Sequence, residues 1–202
     1  MMKKCPRCGS KRVAPILYGL PMYDEEMVRK LRNEELFLGG CCVSQCDPQF
    51  HCFECGKDVG SPPIIIRNGR EEDYRDCVTE IRFSDGGYFT GFPEVSMKKK
   101  HGAFEIDVLP GLGDLEGGLH REMTDEEWKK VLDRLYCKLY LHEWKKSFCD
   151  PHIMDGEQWE LSIKLTEGRK RRYSGSNAFP PYWRELKSVF RPFFKEAGIS
   201  FK

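Results

Sequence analysis

The chain of 202 residues carries 33 lysines and arginines against 32 acids, with 40% hydrophobic and 12% aromatic residues. Such a composition excludes wholesale disorder and suits one large domain or two small ones. The balance also holds locally, nine basic to eight acidic side chains in residues 1–60, so the chain lacks the basic excess by which a dedicated nucleic-acid binder neutralises phosphates.

Met1-Met2-Lys3-Lys4 leads straight into a cysteine knuckle, without the apolar stretch of a signal peptide. No run approaches the roughly 18 apolar residues of a membrane span. A cytoplasmic protein is therefore expected, with no membrane partner. In that reducing setting ten cysteines point to metal binding in preference to a disulfide framework.

Cys5-Pro6-Arg7-Cys8-Gly9 and Cys52-Phe53-Glu54-Cys55-Gly56 are two copies of one device. Each C-x-x-C-G makes a tight turn that aims two thiolates at one point, and its glycine takes the positive φ such turns often need. Cys5, Cys8, Cys52 and Cys55 together suit one tetrahedral, structural Zn2+ with no open position. A thioredoxin-like redox pair would occur once, at a helix start, and not as a matched pair. The 43 residues between the knuckles exceed the usual 15 to 20 or so and must hold an insertion. Lys11 to Leu17 reads as a strand, about Asp24 to Asn33 as a short helix with Met27, Val28 and Leu31 on one face, and Gln49 to Cys52 as the strand entering the second knuckle. Within the insertion, Cys41, Cys42 and Cys46 invite a second metal site or reactive thiols. The plainer expectation is partly buried small residues after Gly39-Gly40, with His51 pointing away from the metal.

The run Cys5-Pro6-x-Cys8-Gly9-Ser10, then Pro15-Ile16-Leu17-Tyr18-Gly19-x-Pro21, Gly39-Gly40-Cys41 and Cys52-x-x-Cys55-Gly56 resembles small uncharacterised bacterial zinc-ribbon proteins. The resemblance covers residues 5–56 and implies the metal and a bacterial origin, with no activity attached.

Gly60-Ser61-Pro62-Pro63 breaks the pattern, and residues 61–76 read as a linker. Residues 77–202 read as an α+β domain, an antiparallel sheet of about five strands with two helices on one face. Cys77, Thr79, Ile81 and Phe83 share one side of a first strand. Asp85-Gly86 reads as its hairpin turn, returning through Tyr88 to Phe92. Phe104, Ile106 and Val108 mark a third strand. Thr124 with Glu127 makes a capping box for a helix whose stripe runs Trp128, Val131, Leu132, Leu135, Tyr136, Leu139 and on to His142. Trp159, Leu161, Ile163 and Leu165 alternate in a fourth strand, and Glu167-Gly168 turns it into a fifth, Arg169 to Tyr173. Pro180-Pro181 opens the last helix, which Pro192 should kink or end.

Candidate chemistry is sparse. The loop from Pro110 to Gly118 is glycine-rich, but no Gly-Lys-Ser/Thr follows and Asp114 and Glu116 would repel phosphate. His101, His120, His142 and His152 are scattered. Cys149-Asp150-Pro151-His152 with Asp155-Gly156 could serve as acid and base or hold a metal, yet turn-forming Asp-Pro and Asp-Gly explain most of it. Asp155-Gly156-x-x-Trp159-x-Leu161-x-Ile163, followed by Tyr173-Ser174-Gly175-Ser176-Asn177-Ala178-Phe179-Pro180, resembles a stretch recurring in uncharacterised bacterial proteins, which brings no catalytic residues.

The expected function is therefore a zinc-stabilised, non-enzymatic binding protein acting through protein contacts. A nucleic-acid-binding zinc ribbon using Lys98-Lys99-Lys100 and Arg169-Lys170-Arg171-Arg172 is the second possibility, and an enzyme of unrecognised class the third. The contact surface expected for a binder is Trp159, Tyr173, Ser174, Ser176 and Asn177, aromatic anchors beside small residues on a strand-to-helix loop. The alternative use of the same residues is structural: Trp159 and Tyr173 fill the core and the loop caps the last helix.

Overall fold

The computed structural model describes residues 2–67, 69–112, 116–153 and 156–201. Gly113, Asp114, Leu115 and Asp155, singled out above, lie outside the described residues.

The amino-terminal part comprises β1 (Val13–Leu17), α1 (Glu25–Arg32), β2 (Phe37–Leu38), β3 (Phe50–Cys52) and β4 (Lys57–Val59). Its strands form one sheet in the order β2-β1-β3-β4. The insertion helix forms where its caps and charges direct. Asp24 Oδ1 accepts the Met27 amide at 2.7 Å, acids fill the first turn, and Arg29, Lys30 and Arg32 the last, each end complementing the helix dipole.

Residues 61–76 are more structured than a linker. β5 (Ile64–Arg67) and β6 (Arg70–Asp73) pair as a hairpin that leads into the single turn α2 (Tyr74–Cys77). Tyr74 and Cys77 already lie in the core of the second half.

That half is an α+β fold. Its strands are β7 (Val78–Gly86), β8 (Glu94–Lys100), β9 (Ala103–Leu109), β10 (Leu119–Met123), β11 (Ser147–Cys149), β12 (Gln158–Leu165) and β13 (Lys170–Ser176). Among the described residues they make one sheet of seven, in the order β10-β9-β8-β7-β12-β13-β11, where five strands were expected. Only β11 runs parallel to its neighbour. Ile81, Phe83, Val95, Met97, Ile106, Leu161 and Ile163 point to one face and are fully buried with side chains of α3 (Asp125–Asp133) and α4 (Trp183–Glu196).

Four local expectations are corrected. Cys77 and Thr79 do not share the inward face of β7: a bulge opposite Lys164/Leu165 brings Val78 inward, while Cys77 belongs to α2. Such a bulge lets two residues of one strand face one of its partner, which shifts the alternation. Asp85 is not a turn residue but a buried strand position, and the chain reverses beyond it, where Gly87 N donates to Gly91 O at 3.2 Å. α3 carries the expected capping box, but ends at Asp133, passes through a wide turn over Arg134–Lys138 and stops at Tyr140, whose φ is +52°. His142 therefore lies on a separate short turn, Leu141–Glu143. Pro192 does not end α4. Proline frees the carbonyl four residues earlier, and that carbonyl, Ser188 O, accepts from Arg134 Nη1 at 3.1 Å.

Candidate metal centre

The knuckles meet. Sγ atoms of Cys5, Cys8, Cys52 and Cys55 all lie within 4.8 Å of one another. Cys5 and Cys55 sulfurs are 3.9 Å apart, and those of Cys8 and Cys52 3.6 Å. Four thiolates bound at about 2.3 Å around a tetrahedral centre stand about 3.8 Å from each other, so the spacing fits a single ion. None of the four is in a disulfide. Gly9 and Gly56 take φ of +80° and +63°, and their amides donate to the carbonyls of Cys5 and Cys52 at 3.0 and 2.8 Å. These paired turns are what aim the sulfurs inward. Cys5 and Cys52 are completely buried. Burial pushes the Cys5 thiol up to about 12, so a thiolate there needs a cation beside it.

The remaining thiols of the insertion do not join this cluster. Cys41 and Cys42 are exposed, where partial burial was expected, and Cys46 Sγ donates to Glu71 Oε1 at 3.6 Å. His51 Nδ1 pairs with Asp58 Oδ1 at 2.7 Å and its ring stacks on Phe37 at 3.7 Å; it takes no part in the sulfur cluster.

The metal centre is seated on the second half of the chain. Tyr140 packs against the small core of Met2, Cys5, Cys52 and Val59. Lys4 O accepts from Tyr182 Oη at 2.6 Å, and Lys4 Nζ pairs with Glu185 at 3.0 Å. Glu143 Oε1 accepts the amides of Gly60 and Ser61 at 2.7 and 2.9 Å. Beside it His142 Nε2 donates to Ser61 O at 3.0 Å, stacked near Tyr74 and Tyr136. Sequence periodicity could not find this seam, because its hydrogen-bond donors and acceptors come from segments 81 to 178 residues apart.

Burial holds the His142 imidazole down to about 4. An unfolded histidine titrates near 6.5, so between roughly pH 6.5 and 4 the unfolded chain binds a proton that the folded chain refuses. Stability is then lost as pH falls through that window. Urea melts at pH 7 and pH 4.5 should show an acid loss for the wild type, roughly 3 kcal/mol at most from this group, that shrinks in His142→Gln. Glu143, raised by its own burial, titrates in the opposite sense and is common to both proteins. An equal acid loss in the variant would remove His142 as the source.

The expected contact residues are placed otherwise. Trp159 and Tyr173 are each only 2% exposed, and Trp159 Nε1 donates to Ala178 O at 2.9 Å. They are core side chains, because inward alternation on β12 and β13 points Trp159 at Trp183 of α4 and Tyr173 at Trp144, and cannot anchor a partner. Asn177, with φ +53°, is spent internally: its Oδ1 accepts the Glu157 amide at 2.9 Å and its own amide donates to Glu157 O. Ser174 and Ser176 are half-buried on β13, in register with Ser147 and Cys149 of the edge strand. Asp150 Oδ1 accepts the His152 amide at 3.0 Å, the turn geometry expected of Asp-Pro. His120 pairs with Asp107 at 2.6 Å on the open face.

Comparison with protein families and with curated proteins finds no match for this chain. Among the described residues no helix is long and apolar enough to cross a membrane.

Proposed function

We propose that this chain is a zinc-stabilised binding protein, non-enzymatic and cytoplasmic, that acts through a protein partner. Zinc is the ion of choice for four thiolates in a closed tetrahedron, and with no coordination position left open it serves the fold. The observation that carries the protein-contact reading is the tip between β7 and β8. Tyr88 is 83% exposed, Phe89 91% and Phe92 48%. The first two rings meet edge to face with centroids 5.3 Å apart. Thr90 O accepts the Leu112 amide at 3.0 Å, which brings a further exposed apolar side chain alongside. Aromatic side chains are enriched in the buried centres of protein interfaces. In this reading the hairpin tip takes the place of Trp159, Tyr173, Ser174, Ser176 and Asn177 as the contact site.

The basic runs do not favour nucleic acid. Lys98 faces Glu80 and Glu105 across its two neighbouring strands, Lys100 pairs with Glu105 at 2.7 Å, and Arg172 pairs with Glu160. β7 and β12 separate the two runs, so they do not join into one basic stripe.

Capture from a nuclease-treated extract of the source organism, with a Tyr88→Ser/Phe89→Ser variant in parallel, tests the proposal. One protein retained by the wild type should be lost about tenfold or more by the variant, with an unchanged melting temperature because neither ring is buried. Equal retention by both proteins, or release of the partner by nuclease, would overturn it.

A further inference from the structure

Behind the hairpin tip, a cavity of about 420 Å³ opens between the end of β7, the segment entering β12, α4 and the tail after it. Its size is within the range that holds small organic molecules. The floor is charged. Lys187 reaches from α4 to Asp85 Oδ2 at 3.1 Å and, more loosely, to Glu157 Oε1 at 3.6 Å. The walls are apolar, formed by Phe89, Pro93 and Phe201. The Lys187 ammonium lies 5.3 and 5.2 Å from the ring centroids of Trp183 and Phe201. The backbone on the hairpin side is tightly fitted: a Cβ on Gly86 would meet Gly91 O at 1.9 Å, and one on Gly111 would meet Thr90 O at 2.4 Å. Glycine is required there because backbone packs directly on backbone.

The charges in this floor do not close on themselves. Asp85, Glu157 and Lys187 are the charged groups among the described residues that line the cavity, two carboxylates to one ammonium. Asp85 is 6% exposed, yet its Oδ1 receives no hydrogen bond. A buried carboxylate oxygen without a donor is costly, and two carboxylates sharing one site resist joint ionisation. Burial, and then the proximity of Glu157, accordingly push the Asp85 carboxyl up to about 7 in spite of Lys187. The floor is short of one cation for its two carboxylates.

We propose that the cavity binds a small organic cation, a protonated amine or amidine on a flat apolar body. The cationic head supplies the donors that the Asp85–Glu157 pair lacks and balances its excess negative charge. The body lies against Phe89, Pro93 and Phe201, whose ring faces also attract a cation. An anion of the same shape meets two carboxylates and an ammonium already committed to them. Because a cation beside the Asp85 carboxylate favours its ionised form, binding near pH 7 releases part of a proton to the buffer.

Isothermal titration of the full chain with benzylamine and benzamidine, against benzoate and benzyl alcohol, tests this. Both cations should saturate with Kd on the order of a millimolar or tighter, and benzoate and benzyl alcohol should not. The apparent heat should differ between buffers of unlike ionisation enthalpy, reporting the released proton. Asp85→Asn and Glu157→Gln should each weaken the cations about tenfold. Glu157, the more exposed partner, keeps the test valid if Asp85→Asn does not fold. No saturation by either cation, equal binding of benzoate, or cation binding unchanged in the folded carboxylate variants would overturn the assignment.

Discussion

Replacing Cys52 by serine should strip the protein of its metal, from about one zinc per chain by elemental analysis to a trace, and unfold residues 1–60. The expected effect is the largest available in this molecule. Structural zinc contributes on the order of 10–16 kcal/mol of apparent binding energy in small domains, and the apolar core here is only Met2, Cys5, Cys52 and Val59 with their neighbours, too little to stand alone. The second half has its own extensive core and should keep a cooperative melt. Its midpoint should fall as well, because the Glu143 carboxylate loses the Gly60 and Ser61 amides and Tyr182 loses Lys4 O. Full zinc retention in Cys52→Ser would disprove the four-thiolate site. An unaltered second melt would mean that the seam contributes nothing.

Trp159→Ala should cost about 3–5 kcal/mol of stability by denaturant melting, the usual penalty for emptying the space of a large buried aromatic ring. The indole sits among Phe148 and Trp183, with centroid separations of 5.8 and 5.1 Å, and its N–H closes the loop after β13 through Ala178 O. Both the packing and the hydrogen bond go with it. Partner capture, measured at a temperature where the variant remains folded, should be retained. Lost capture with unchanged stability would restore Trp159 as a contact residue.

Where the sequence states a pattern with its own local chemistry, the structure follows it. Thr124 and Glu127 start α3 as a reciprocal cap, and Trp159, Leu161, Ile163 and Leu165 face inward on β12. The paired C-x-x-C-G turns bring four sulfurs together across the insertion. β8 was illegible because Lys98-Lys99-Lys100 ends the strand with three charges, which obscures the inward alternation of Val95 and Met97. β10 and β11 are short edge strands, recognisable only by what they pair with. Asp85-Gly86 looks like a turn because the cation that allows Asp85 to be buried, Lys187, sits on the last helix. The cavity is hidden for the same reason. Its charged floor is assembled from three separate segments, and no one of them carries a motif.

The bond from Tyr182 to Lys4 O joins residues 178 positions apart, while the metal ligands are all present once Cys55 has been made. During synthesis the two knuckles can therefore close around a metal ion well before α4 exists. At roughly 5–20 residues per second, the interval between the last ligand and the last helix is on the order of ten seconds. The chelated ribbon is then a finished berth awaiting its final piece, and α4 docks onto an already ordered rim in place of a fluctuating chain. On the zinc reading proposed above, a shortage of metal acts during those seconds, on the nascent polypeptide, before the completed protein has any ion to lose.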